Sequence, residues 1–209
     1  IREMGRVLAV RGRVLPATLA TVQLRASYRD GTEITGESRI PQENKVIERI
    51  FLEPDQVPAL PEAVTAMEEA DIIVLGPGSL YTSIVPNVLV PGIGEALARS
   101  RAMKVYVCNV MTQPGETAGM SASSHLKILL DHIKVHGSAQ QNRPPVDVCV
   151  VNNQAISPFQ ADMYRLEGAE PVSADMDALT ALGVTVKAAP LLDELDLVRH
   201  DPRKLAAVI

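Results

Sequence analysis

Residues 70–87, ADIIVLGPGSLYTSIVPN, constrain the fold more than any other stretch of the chain. Ile72, Ile73, Val74 and Leu75 form the short continuous apolar run expected of a parallel strand buried on both faces. The run stops at Gly76-Pro77-Gly78, and Ser79 stands where a helix N-cap would. A glycine turn that opens a helix leaves backbone N–H groups unpaired, partly positive and free of obstructing side chains. Such a turn suits a phosphate or another small anion. A tight bend that merely needs glycine is the other reading. The polar density of Ser79, Tyr81, Thr82, Ser83 and Asn87 favours the anion site.

From Asp71 onward, apolar runs and helical patterns alternate. Strands are expected at Ile72–Leu75, Val105–Val110, Val146–Val151 and Val184–Ala188, with a short one at Pro171–Val172. Helices are expected from about Ser79, over Gly92–Ser100, 124–133, Pro158–Glu167, Asp177–Leu182 and Asp201–Val208. This alternation predicts an α/β fold, a mostly parallel sheet with helices on both faces and ligands beyond the carboxyl ends of the strands. Upstream the period changes to two: Val22, Leu24, Ala26 and Tyr28 precede Asp30-Gly31 and Ile34, a hairpin signal, and Ile47–Leu52 reads as another strand. One α/β domain over 1–209 is therefore expected, carrying an antiparallel hairpin insertion at about 20–52. Ile1, Met4, Val7 and Leu8 follow helical spacing, which suggests a helix already under way and a start lying upstream. Gln140–Pro145 reads as a flexible loop.

Composition narrows the partners. With 46% hydrophobic residues, 22% charged and a net charge of −5, the chain is globular and carries no basic run, which argues against nucleic acid. Pro86 and Pro91 interrupt the longest apolar stretch, so no membrane span is expected. Cys108 and Cys149 fall inside strands without metal-ligand spacing and read as small core residues of a reducing compartment.

The second candidate region is the polar loop past the 105–110 strand, where Asn109, Thr112, Gln113, Glu116 and Thr117 become neighbours of the first turn if their strands are adjacent. Amides and hydroxyls with one carboxylate suit recognition of a sugar or base better than proton transfer, and Asn152-Asn153 ends a third strand at the same edge. Gly76-x-Gly78 fails as a dinucleotide fingerprint because Tyr81 stands where a third glycine belongs and Asn109 where an acidic ribose ligand is needed. No Gly-Lys-Ser/Thr loop, Gly-x-Ser-x-Gly elbow or zinc spacing exists. His125 reads as a capping or surface residue, His132 and His136 as cations near a helix end, and His200 as the residue before a helix start.

The segments LGPGSLYTSIVPNVLVPGI, KVYVCNVMTQPGETAG, RGRVLPAT, GESRIP and the closing VRHDPRKLA resemble the gluconeogenesis factor (YvcK-like) family, relatives of the 2-phospho-L-lactate transferases. The resemblance runs the length of the chain. It implies a Rossmann-like cytoplasmic bacterial protein that binds a UDP-sugar such as UDP-N-acetylglucosamine and coordinates carbon metabolism with cell-wall synthesis and cell shape, without an established reaction. Gly76, Gly78, Ser79 and Thr82 would line the nucleotide-sugar cleft, with Asn109, Thr112 and Glu116 opposite; Pro77, Tyr81, Ser83, Asn87, Gln113 and Thr117 complete the expected ligand-binding set. The family's upstream Gly-rich strand–turn, Asp-Asp-Gly-Gly stretch and Gly-His-Ser-Leu-Gly-Asn segment do not occur in the sequence, which looks like the C-terminal two-thirds of a member. No cofactor or resident metal is expected, a protein partner in cell-wall or carbon metabolism is, and a homo-oligomer is compatible with the pattern. The alternative is a transferase of the 2-phospho-L-lactate type acting on a nucleotide-activated phospho-acid, which would need a divalent metal.

Overall fold

In a computed structural model, residues 12–136, 144–193 and 197–209 are described. The helix expected over 1–10, most of the loop expected at 140–145 and the side chain of His136 lie outside them.

Two sheets form. The first is antiparallel, with β1 (Gln23–Tyr28) between β2 (Glu33–Thr35) and β3 (Ile47–Glu53). Asp30-Gly31 makes the hairpin as expected: Gly31 takes φ +81°, and the Tyr28 and Gly31 amides close the turn onto Thr32 and Tyr28 carbonyls at 2.9 Å. Alternate residues Leu24, Ala26 and Tyr28 point into the core, as the period of two requires. Tyr28 donates to the Ile40 carbonyl at 2.9 Å, tying β1 to a 3-10 turn at Ile40–Glu43.

The second sheet is parallel, in the order β4 (Ile72–Leu75), β5 (Met103–Val107), β6 (Val148–Asn152), β7 (Thr185–Ala189). Helix α1 (Pro61–Glu68) leads into β4. A π-helical turn (Leu80–Ile84), α2 (Val85–Val88) and α3 (Pro91–Arg99) follow it, and α4 (Ala122–His136) joins β5 to β6. After β6 come α5 (Pro158–Leu166) and α6 (Met176–Ala181), and α7 (Pro202–Val208) follows β7. Strands added one after another in a single direction, with right-handed crossovers, put their connecting helices on one face. Accordingly Tyr106, Cys108, Cys149 and Val151 meet Leu97, Leu126, Leu129, Ile133 and Leu179 in the main core. The other face is covered by α7: Val105, Val107, Val148 and Val150 pack with Leu205 and Val208.

Three expectations need correction. Strand β4 is not buried on both faces: Ile72 and Val74 are 42% and 43% exposed, because they lie on the α7 side of the sheet and α7 packs against β5 and β6. The strand expected at Pro171–Val172 is a single antiparallel bridge from Pro171 to Met111. Strand β5 ends at Val107, two residues before Asn109, so Asn109 and Val110 already belong to the loop.

Candidate functional site

The turn after β4 owes its shape to one glycine. Gly76 sits at φ +86°, and a Cβ there would lie 2.9 Å from the Val107 carbonyl oxygen and 3.1 Å from Ile84 Cδ1. Only glycine fits both the conformation and the space. At Gly78, by contrast, a Cβ would meet only ordinary contacts, 3.7 Å to Ser83 and 3.8 Å to Ile84. The fold does not require glycine at that position. Ser79 stands at the helix start as expected, but its side chain caps nothing. Its carbonyl instead accepts from Ser83 and Ile84 at 2.9 and 3.0 Å, beginning the π turn.

The loop after β5 is shaped by side chains. Strands β4 and β5 are neighbours, which meets the condition under which the loop was expected to lie against the first turn. Asn109 grips Gly78 twice, accepting from its amide at 3.3 Å and donating to its carbonyl at 2.9 Å. Gln113 Nε2 donates to Ser79 Oγ at 2.8 Å. Glu116 accepts from Thr82 Oγ1 at 2.9 Å and from the Tyr81 amide at 3.3 Å. Thr117 Oγ1 accepts from the Gln113 amide at 2.9 Å, and Thr112 Oγ1 from the Glu170 amide at 2.9 Å. Gly115, at φ +74°, presses against the 3-10 turn so closely that a Cβ would fall 1.8 Å from the Pro41 carbonyl oxygen.

This changes the electrostatics of the helix start. One of the helix-start amides, that of Tyr81, already faces the carboxylate of Glu116. Burial raises the Glu116 pKa, and the hydrogen bonds from Thr82 and Tyr81 hold the rise in check. Among the described residues, the amides of Ser79 and Leu80 are the first in this turn without a protein acceptor.

Two cavities open at this edge. The first, of about 570 Å³, is lined by Pro77, Gly78, Ser79, Asn109 and the 110–114 segment, and on its far side by Tyr164, Glu167, Ala169, Val198, Arg199 and His200. The second, of about 610 Å³, is lined by Glu37, Ser38, Pro41, Ser79, Thr82, Gln113, Pro114 and Glu116. Ser79, Gln113 and Pro114 belong to both. Of the residues singled out from the sequence, Pro77, Gly78, Ser79, Thr82, Asn109, Thr112, Gln113 and Glu116 line one or the other. Gly76, Tyr81, Ser83, Asn87 and Thr117 line neither. Tyr81 and Thr117 are buried, at 2% and 0% exposure, and Asn87 bonds back to the Ser83 carbonyl at 2.7 Å. Asn152 is occupied with the amides of Gln154 and Leu191 at 3.2 and 3.1 Å.

Sequence reasoning passed over Glu37, Ser38, Tyr164 and Arg199 and read His200 only as the residue before a helix start; these residues arrive from separate segments of the chain. The VRHDPRKLA segment was the one available signal for the last two. There Asp201 caps α7, accepting from the Arg203 and Lys204 amides at 2.7 and 3.1 Å, and so sets His200 at the cavity wall. Burial lowers the His200 pKa, with the Cys108 carbonyl opposing. His125 is not a surface residue: it is fully buried, its Nδ1 2.8 Å from the Ser121 carbonyl oxygen, and burial lowers its pKa. Both cysteines are buried free thiols, and burial pushes Cys149 up to about 12. Among the described residues no group of three or more His, Cys, Asp or Glu could hold a metal ion, and no helix is long and apolar enough to cross a membrane.

Comparison with known proteins shows the family. Residues 1–192 match the family described as 2-phospho-L-lactate transferase CofD. The whole chain is 43% identical to the gluconeogenesis factor of Bacillus subtilis and 47% identical to that of Halalkalibacterium halodurans, spanning 64% and 63% of their lengths. A crystal structure at 2.60 Å of a upf0052-family protein from Bacillus halodurans superposes with a TM-score of 0.89 at 46% identity, over 99% of this chain and 64% of that one.

Proposed function

The chain belongs to the CofD family, and from that premise we propose that it is a nucleotide-sugar-binding regulatory protein of the bacterial cytoplasm. Its ligand is UDP-N-acetylglucosamine or a similar UDP-sugar, and it links gluconeogenic carbon metabolism to cell-wall synthesis and cell shape through a protein partner. The observation that carries this reading is the pair of adjoining cavities meeting at Ser79 and Gln113. A base and a sugar joined by a pyrophosphate need two pockets with a polar divide between them. The first pocket has an apolar lining in Val110, Met111, Tyr164 and Val198 that suits the flat face of a base. The phosphates fit beside the Ser79 and Leu80 amides, and the hexose fits the hydroxyl-rich second pocket.

The name of the matched family favours a second reading, a transferase acting on a nucleotide-activated phospho-acid. Calorimetric titration of the protein at its natural length separates the two. The regulator reading expects saturable binding of UDP-N-acetylglucosamine, weaker binding of GDP and NAD, and no turnover. Binding of GDP but not of the UDP-sugar, with metal-dependent product formation, would replace it with the transferase.

A further inference from the structure

Resting on the nucleotide-sugar reading, we propose that the second cavity selects for a neutral, hydroxyl-rich group and that Glu37 and Glu116 exclude a second anionic group from it. The two cavities differ in charge. The first has Arg199 on its wall opposite one carboxylate, Glu167, whereas the second has two carboxylates and, among the described residues, no basic side chain in its lining. Its other polar groups are the hydroxyls of Ser38, Ser79 and Thr82 and the amide of Gln113.

Ionised carboxylates only accept hydrogen bonds, so they pair with hydroxyls and repel carboxylates or phosphates. Glu116 is held in place by Thr82 and the Tyr81 amide, which fixes where its remaining lone pairs point. Gln113 is held at the divide by its Nε2 donating to Ser79 Oγ at 2.8 Å, and it adds an uncharged amide to this wall. A phospho-acid substituent would place its charge against Glu37 and Glu116. The phosphates of the nucleotide avoid that conflict by staying at the Ser79 divide, on the side of Arg199. The cleft thus has a direction: nucleoside toward Tyr164, hexose toward Glu37.

The test compares ligands that differ by one charge. UDP, UDP-glucose and UDP-glucuronic acid are titrated into the natural-length protein and into Glu37→Gln and Glu116→Gln variants. The account expects UDP-glucuronic acid to bind at least about tenfold more weakly than UDP-glucose. It expects each variant to narrow that gap to about threefold or less. Equal affinity for the two sugars in the unmodified protein, or a gap that both variants leave intact, would overturn the assignment of this cavity while UDP-glucose binding still upholds the nucleotide-sugar reading. Failure of all three ligands to bind would overturn that reading and this inference with it.

Discussion

The turn after β4 keeps its shape through the backbone, whereas the loop after β5 keeps its shape through side chains. In the first, the positive φ of Gly76 and a carbonyl 2.9 Å from any would-be Cβ settle the path. In the second, Asn109, Gln113, Glu116 and Thr117 each spend hydrogen bonds on the fold, three of them on the first turn itself. The difference bears on how polar loops are read. A cluster of amides, hydroxyls and a carboxylate looks like a ligand site in sequence, yet much of that polarity here binds one loop to the other. What remains for a ligand is the surface the two loops make together, centred on Ser79 and Gln113.

The comparison can be broken most forcefully at Gly115, where backbone and side-chain control meet. Gly115→Ala must move Pro41 or the loop, and a loss of about 3 kcal/mol or more in a urea titration is expected. Gly76→Ala should cost about 2–3 kcal/mol from its positive φ and the nearby carbonyl, while Gly78→Ala should stay within about 1 kcal/mol of the parent. Equal losses at Gly76 and Gly78 would show that the turn is not held by Gly76 alone. Glu116→Ala leaves the Tyr81 amide and the Thr82 hydroxyl without their acceptor, at about 2 kcal/mol, and Glu116→Gln should recover part of it by keeping one carbonyl.

The smallest expected effect is a pH slope. His125 is fully buried just beyond the second loop, bonded to Ser121 and close enough to Asp175 to feel its charge. Its pKa is lowered in the folded state, so the unfolded chain binds its proton more readily. The stability this contributes is present above pH ~6.5 and is lost as pH falls from there toward the depressed folded value, by at most about 1.4 kcal/mol per pH unit. Urea midpoints at pH 7.5 and 5.5 should converge in His125→Gln relative to the parent. His200, lowered for the same reason, leaves a residual slope in that variant.

The parallel sheet was legible because β4, β5 and β6 each carry a local apolar run, and the Asp30-Gly31 hairpin because its turn chemistry lies in two adjacent residues. The adjacency of the two loops followed from strand order. Three things were not local. The exposure of Ile72 and Val74 depends on how far α7 reaches, which no pattern within 72–75 records. The fit of Gly115 against Pro41 joins the loop after β5 to the 3-10 turn between β2 and β3, positions far apart in the chain. Glu37, Tyr164, Arg199 and His200 reach the cleft from three separate segments, and each is an ordinary residue where it stands in the chain. Conversely Tyr81 and Thr117 looked available because they are polar, and packing places both in the interior.

The central claim is that the surface made jointly by the two loops receives a nucleotide sugar. The most direct test is a crystal structure of the natural-length protein with UDP-N-acetylglucosamine. The account predicts a phosphate oxygen at about 3 Å from Ser79 or Gln113, with the hexose toward Glu37 and Glu116 and the uracil toward Tyr164. A ligand bound away from both loops, or one whose hexose fills the cavity beside Tyr164 and His200, would contradict it.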